Sequence, residues 1–504
     1  MNLLTSYVHL LKLLCIQLFI IFVAGGCSCY NPSNDGMVAP CYNDEWQGPE
    51  MPRGVINLAD AEAASHAPDG AQLLELGEMV NIALSNNPLT QRSWFTARSQ
   101  AFLYLRSQST LYPAAELQET LTFSKFHSNS SAGGADSTIV NGGISGVGSG
   151  AIATSSADKP AYQQSLFSSL TLSYLLFDFG GRQGTIESAR MSLFSANWAH
   201  NQALQTVLVN LLTSYYNFLG TRSLVEAREK DLQDSKASLD AAQKLYESGI
   251  NAKVDYLQAK TNYVNVELSL TTLRGQLQIA MSQLAVNMGL APDTELKIGE
   301  VPKKIPFEKV DDDIEKLMAE AKERRPDLQG AYADFQKQWA ELQVAKSAGL
   351  PTLSAFGNFE TNTYFHQSLL NTRLYEGQLT LNVPLFNGFY YWYNTKSAQQ
   401  NLETYWAQFR NQEQQVLLGV ATSYYTYKTS IKAMSYTEEY LKYAQEAYDA
   451  AFGSYKEGVK TILDVLSAQA VLANARSQRI QAVTQWAISL ANLAYSTGTI
   501  YGSY

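Results

Sequence analysis

The side chains able to perform covalent or metal chemistry in this 504-residue chain are few and poorly grouped. Five histidines, His9, His66, His127, His200 and His366, occupy no H-E-x-x-H or other metal-ligand spacing. The chain has no G-x-S-x-G, no Walker loop and no C-x-x-C, and Gly180-Gly181 in DFGGRQ reads as the start of a helix. No enzyme, metal or cofactor is therefore expected. Two acids recur in matching places: Asp255 and Asp464 each follow a glycine, Gly249 and Gly458, by six residues. A carboxylate in the first turn of a helix satisfies free N–H groups, so helix capping is one reading of both. Tyr455 falls on an apolar repeat, which makes it a core candidate as well.

Bulk composition narrows the class. Charged residues make up 16% of the chain, below the roughly 25% of ordinary soluble domains, and tyrosine is abundant at 30 residues. The formal net charge is -9 and no run of Lys or Arg forms a polyanion site, so nucleic acid is not an expected partner. Residues 10–23 are a short apolar stretch ending in Ala24-Gly25-Gly26-Cys27, the layout of a secretory signal over 1–26. A cysteine directly after small residues resembles a bacterial lipoprotein signal, in which Cys27 is acylated. No Asp follows it, so bacterial sorting rules point to the outer membrane. Ala24 departs from the larger aliphatic residue usual three places before that cysteine. Ordinary cleavage and a retained anchor are the other readings. Cys15, Cys27, Cys29 and Cys41 are the only cysteines, and a thiol-free body suits an oxidising compartment. Cys29 and Cys41 could pair or remain unpaired.

The body is two copies of one unit. Tyr246, Gly249, Asp255, Leu257 and Ala259 match Tyr455, Gly458, Asp464, Leu466 and Ala468 at a constant offset of 209. Leu176-Phe177-Asp178 matches Leu385-Phe386-Asn387 at the same offset. Upstream, Asn87-Pro88 matches Arg325-Pro326, and Pro113 matches Pro351, at 238. The first copy is thus longer between Pro113 and Leu176, and its Gly/Ser/Ala-rich residues 129–160 read as a loop.

Each copy predicts a long helical hairpin. Leu211, Phe218, Val225, Leu232, Leu239 and Tyr246 recur every seven residues, as do Val420, Tyr427, Met434, Leu441, Tyr448 and Tyr455. A strict heptad makes helices wind about each other. No proline interrupts 161–291 or 385–504, and residues 183–247 would extend roughly 100 Å as helix. The glycines then turn the chain into a second helix reaching about 288 and 497. Pro113 and Pro351 end the preceding helices. Alternating stretches follow: ELQETLTF and SLFSSLTLSYLLF in one copy, TLSAFGNF and GQLTLNVPLF in the other. A period of two gives one face for lipid and one for a polar lumen. No segment outside the leader is long and apolar enough for a membrane helix. Four strands cannot seal a barrel, which needs roughly eight or more, and open edges are not tolerated in lipid. Several copies must therefore share one barrel.

With these features in view, the chain resembles the outer-membrane efflux protein (TolC) family from about residue 72 onward. The motifs are LLELGEMVNIALSNNP, LSYLLFDFGGRQGTIESAR, RPDLQGAYADFQKQWAELQVAKSAGLPTLSAFG and the two hairpin tips. The resemblance implies a homotrimer whose twelve-stranded outer-membrane barrel continues into an α-helical periplasmic barrel, with a mixed equatorial region partway along. It implies an exit duct working with a periplasmic adaptor and an inner-membrane pump. Drug-like small molecules are the expected cargo; type I protein secretion is the alternative. It also maps gate contacts onto Asp255, Tyr455 and Lys460, a luminal carboxylate ring onto Asp464, and adaptor contacts onto the tips Gly249-Ile250 and Gly458-Val459. The family often has Arg at the Lys460 position; Lys forms no bidentate fork, so the latch is expected to be weaker. Val254 stands where a hydroxyl residue can assist. Ser467 replaces a second acidic ring. Tyr174, Phe177 and Phe179, with Phe386, Phe389, Tyr390, Tyr391, Trp392 and Tyr393, would form an interfacial girdle or pack between helices.

The expected organisation is signal 1–26, leader and equatorial segment 27–70, first repeat 71–290, equatorial linker 291–312 and second repeat 313–504. A trimeric coiled-coil surface protein would also explain heptads and an anchor. It would not explain two hairpins with paired strands at matching places.

Overall fold

The structure, a computed structural model, describes residues 39, 43–46, 74–126, 161–299, 313–365 and 371–500. The signal segment, Cys27, Cys29, Cys41, loop 129–160, residues 300–312 and most of the leader lie outside the described residues. The chain divides into a helical unit (1–105, 186–342 and 397–504) and a strand unit (106–185 and 343–396).

The elements repeat in order. The first copy has α1 (Leu76–Asn86), α2 (Pro88–Gln108), β1 (Ala114–Phe126), β2 (Ala161–Phe177), α3 (Gly181–Glu247) and α4 (Lys253–Asn287). The second has α5 (Ile314–Arg324), α6 (Pro326–Ser347), β3 (Thr352–Phe365), β4 (Thr372–Asn382), α7 (Tyr390–Lys456) and α8 (Ile462–Thr497). Pro88 and Pro326 stand first in their helices, where a missing N–H costs nothing. Both α3 and α7 are 67 residues long.

In the strand unit the order is β1-β2-β3-β4, all neighbours antiparallel. The register sorts the two faces into rows. Leu117, Leu170, Phe359 and Tyr375 form a row on one face; Glu116, Thr171, Asn358 and Glu376 form an adjacent row on the other. On that polar face, Ser169 and Thr171 donate to Asn358 Oδ1 at 3.1 and 3.4 Å. The apolar face keeps Leu117, Leu121, Phe123, Tyr375, Leu379 and Leu381 largely exposed. Strands β1 and β4 are the unpaired edges. Strand β4 ends at Asn382, earlier than the alternation through Phe386 predicts. Pro384 has no N–H for the ladder, so pairing stops ahead of it. Consecutive left-handed residues, Phe179-Gly180 and Gly388-Phe389, turn strand into helix.

In the helical unit the two copies build corresponding cores. Met79 and Ala83 on α1 pack with Val207, Leu211, Tyr215 and Leu284. Their repeat partners Leu317, Ala321, Val416, Val420, Tyr424 and Leu493 form a second cluster. Gly289 and Gly498 close the hairpins with φ of 75° and 77°. A Cβ on Gly289 would stand 2.6 Å from the Asn86 backbone, so only glycine allows the close approach. Leu74, just before α1, bridges in parallel to Ile298 of the linker. Part of the leader also docks here. Trp46 packs at a tilt against Phe194 and edge-to-face against Trp198, and its backbone N–H and C=O pair with the Asn201 side chain at 2.7 Å each.

The heptad of α3 is buried at Leu211, Phe218 and Val225, but Tyr246 is 40% exposed and stacks on Tyr256. The equivalent Tyr455 is 1% exposed. At the end of α3, ring-on-ring contact replaces core insertion, because the hairpin partner there is another tyrosine.

Candidate functional site

Both hairpin tips are built by the same backbone device. Gly249 and Gly458 adopt φ of 74° and 77°. Their N–H groups donate to Tyr246 and Tyr455 carbonyls at 3.0 Å, and the following Ile250 and Val459 donate to Leu245 and Ser454 at 2.9 Å. This arrangement satisfies the last carbonyls of a helix and requires a left-handed residue. It also leaves Ile250 and Val459 projecting, 68% and 77% exposed.

The two tip acids, equivalent by spacing, have different surroundings. Helix α8 starts at the N-cap Thr461, whose hydroxyl and N–H donate to the Asp464 carboxylate at 2.8 and 3.0 Å, while Asp464 N–H donates back to Thr461. These bonds hold the Asp464 carboxyl below the usual range. Helix α4 starts at Ala252, which has no hydroxyl to offer, so no capping box forms around Asp255. Asp464 is thus occupied as a cap, and Asp255 is not.

The Tyr455 hydroxyl is held by a neighbour from the other tip and lies within range of the Asp255 charge. Asn251 Nδ2 donates to Tyr455 Oη at 3.2 Å. Burial, and secondarily the Asp255 charge, push the Tyr455 hydroxyl up from its ordinary value, while the Asn251 bond opposes them. Lys460 is not drawn to this pair within the chain. Its Nζ lies 3.9 Å from Asp464 Oδ1, with both side chains about half exposed. Asn251 did not emerge from the sequence reading, although its place in the turn beside Gly249 marks it as a polar tip residue.

A second polar assembly lies further from the tips, about 27 Å of helix before Gly249. Arg476 Nη1 on α8 donates to Asp231 and Asp234 on α3 at 2.7 and 2.8 Å, and its Nη2 donates to Gln445 on α7 at 3.1 Å. Arg228 adds a 3.3 Å bond to Asp231. The Asp231 side chain is only 4% exposed. Burial, only partly offset by Arg476 and Arg228, pushes its carboxyl up. Gln469 on α8 donates to the Asp231 carbonyl at 3.4 Å and accepts from Asn262 on α4 at 3.1 Å. The assembly ties one hairpin to the other with groups too distant in sequence for spacing to reveal.

This arrangement has no nucleophile–base pair, and among the described residues no group of His, Cys, Asp or Glu could hold a metal ion. Its chemistry is reversible hydrogen bonding and ion pairing between paired helices.

Known proteins share the plan. Residues 140–290 and 317–499 match the outer membrane efflux protein family. Protein CyaE of Bordetella pertussis is 21% identical over 411 residues, spanning 81% of this chain and 80% of that protein. Outer membrane protein TolC of Escherichia coli is 23% identical over 347 residues, covering 66% and 69%. A solved structure of CusC superposes with a TM-score of 0.71 at 17% identity, covering 84% of this chain and 91% of the other. The match falls on both repeats, and the fold it implies is the one described: four strands and two long hairpins per chain. The chain belongs to the outer membrane efflux protein family, whose members are channels of the outer membrane.

Proposed function

We propose that three copies of this chain form the exit duct of a tripartite efflux system, carrying drug-like small molecules from the periplasm to the outside. A periplasmic adaptor would dock on the tips at Gly249-Ile250 and Gly458-Val459, and an inner-membrane pump would drive transport. The observation that carries this reading is the four-stranded sheet with one apolar face, one polar face and two open edges. Lipid does not accept open edges, so copies must join until the sheet closes around its polar face. Three copies give twelve strands.

The gate of this duct is read as Asp255, Tyr455 and Lys460, supplemented by Asn251. Within the chain Lys460 turns to Asp464, so its gate contact would be to the Asp255 of a neighbouring copy. Asp464 would still present part of its carboxylate to a luminal ring, because its capping bonds use mainly one oxygen. Such a ring favours cations.

Native mass measurement and single-channel recording of the detergent-extracted protein test the reading together. A trimer that conducts across planar bilayers is expected. A monomer, or a trimer without conductance, would remove the duct; the second outcome would favour a structural stalk. Recovery of the adaptor with an ATP-driven exporter in place of a proton-driven pump would shift the cargo to secreted polypeptides.

Cys27 is read as the acylated first residue of the mature protein, anchoring it to outer-membrane lipid. Cys27→Ser is expected to abolish labelling by radioactive palmitate, and persistent label would exclude acylation at that position.

A further inference from the structure

Only the first copy of the repeat carries the side chains that hold the leader. Trp94 Nε1 on α2 donates to the Ala39 carbonyl, and His200 Nε2 on α3 donates to the Asp44 carbonyl, each at 2.8 Å. The Asn201 amide accepts from the Trp46 N–H and donates to the Trp46 carbonyl, at 2.7 Å each. A carbonyl only accepts, so His200 carries its proton on Nε2, and its Nδ1 accepts from the Ser93 hydroxyl at 2.8 Å. With its ring against Phe194 and Trp198, Trp46 is only 4% exposed. Little water reaches this place. Burial pushes the Asp44 and Glu45 carboxyls up and the His200 imidazole down.

At the corresponding positions of the second copy these groups are all different. The repeat offsets place Ala331 at Ser93, Tyr332 at Trp94, Phe409 at His200 and Arg410 at Asn201. Phenylalanine offers no donor and the arginine side chain no acceptor, so a main-chain N–H and C=O could not both be met there. The second copy fills the place with its own rings. Tyr332 and Phe409 lie 5.7 Å apart between centroids, Phe409 and Trp406 5.5 Å, and Trp406 and Phe335 5.2 Å. Phe335 and Trp406 occupy the positions of Ala97 and Asn197. Further along the same helices the copies agree in character, as at Leu211 with Val420 and Tyr215 with Tyr424. A packing gap calls only for apolar filling. Donors and acceptors matched to a main chain call for a peptide.

We propose that this face of α2 and α3 is a peptide-binding seat, whose ligand is an extended segment read through its backbone and anchored by one indole. The resident ligand is the chain's own leader, and a separate peptide of the same sequence can take its place. Main-chain bonds supply the affinity, and the slot beside Phe194 and Trp198 supplies the selectivity. The first copy is thus completed by a peptide where the second is completed by its own side chains.

Full-length Trp46→Ala protein and a fluorescent synthetic peptide of residues 36–49, with Cys41→Ser, provide the test. Hydrogen exchange of backbone amides in 93–101 and 193–201 is expected to rise about fivefold or more in the variant. Amides of the matching stretches 331–339 and 402–410 should exchange at the parental rate. The peptide should bind the variant saturably and restore the lost protection. It should bind the parent, whose seat is filled, about tenfold more weakly. A peptide that itself carries Trp46→Ala should bind neither. Ser93→Ala with His200→Phe installs the second copy's residues and keeps the helices filled. Helix content and unfolding temperature should then persist while the amides of 43–46 lose protection. Equal exchange changes in both copies of the Trp46→Ala protein would overturn the seat. So would absent peptide binding, binding that does not distinguish parent from variant, or a leader still protected in the Ser93→Ala, His200→Phe protein. None of these readouts involves conductance or subunit number, so the seat and the duct stand or fall separately.

Discussion

Protein carrying Asp255→Ala together with Lys460→Ala is expected to pass at least tenfold more current than the parent in planar bilayers. The estimate follows from the bonds at stake. A hydrogen bond to a charged group contributes about 1.5–3 kcal/mol net, and about 1.4 kcal/mol changes an equilibrium tenfold. Three symmetric copies would lose such a link together. The structure shows why Asp255 is the residue to remove. Its charge acts on the buried Tyr455 hydroxyl, and without a hydroxyl at Ala252 it is not consumed by a capping box. Removing Asp464 instead would break the α8 cap and confuse gating with helix loss. Current indistinguishable from the parent's would take Asp255 and Lys460 out of the gate.

The largest loss of stability is expected for Arg476→Met. Arg476 compensates Asp231, whose side chain is 4% exposed, and Asp234 beside it. Deleting one partner of a buried ion pair costs about 3–5 kcal/mol, because the remaining charge is left without compensation. Thermal unfolding followed by circular dichroism should register a fall of several degrees or more. The loss should depend on pH with a definite sign. Burial already holds the Asp231 carboxyl above its ordinary value, and removing Arg476 raises it further. The penalty for the buried anion is absent below the unfolded carboxyl range and grows as pH rises through the elevated folded value. Arg476→Met should therefore be most impaired at neutral pH and recover part of its stability in mild acid. Adding Asp231→Asn should recover stability at neutral pH too. A deficit of equal size at pH 5 and pH 7.5 would show that lost packing, not the stranded charge, is responsible.

Much of the architecture was open to reading from residue order, because the forces that set it are local. Heptad spacing, proline-free runs and glycines at Gly249 and Gly458 place the long hairpins, whose second helices end at Asn287 and Thr497. Period-two alternation places all four strands, and Pro384 explains the shortened β4. The repeat offset of 209 emerges from identity alone and reappears as matched cores around Leu211 and Val420. Even the different fates of Asp255 and Asp464 are written three residues earlier, in Ala252 and Thr461. Pairings across long sequence separations were another matter. Asn251 with Tyr455, Arg476 with Asp231, and Asn201 with Trp46 join residues 204, 245 and 155 positions apart. No periodicity selects such partners, since a polar side chain on a helix can face solvent, lumen or a neighbouring helix with the same spacing. Only the packing of hairpin on hairpin excludes water around Asp231 and Tyr455. That exclusion determines which polar groups must find each other.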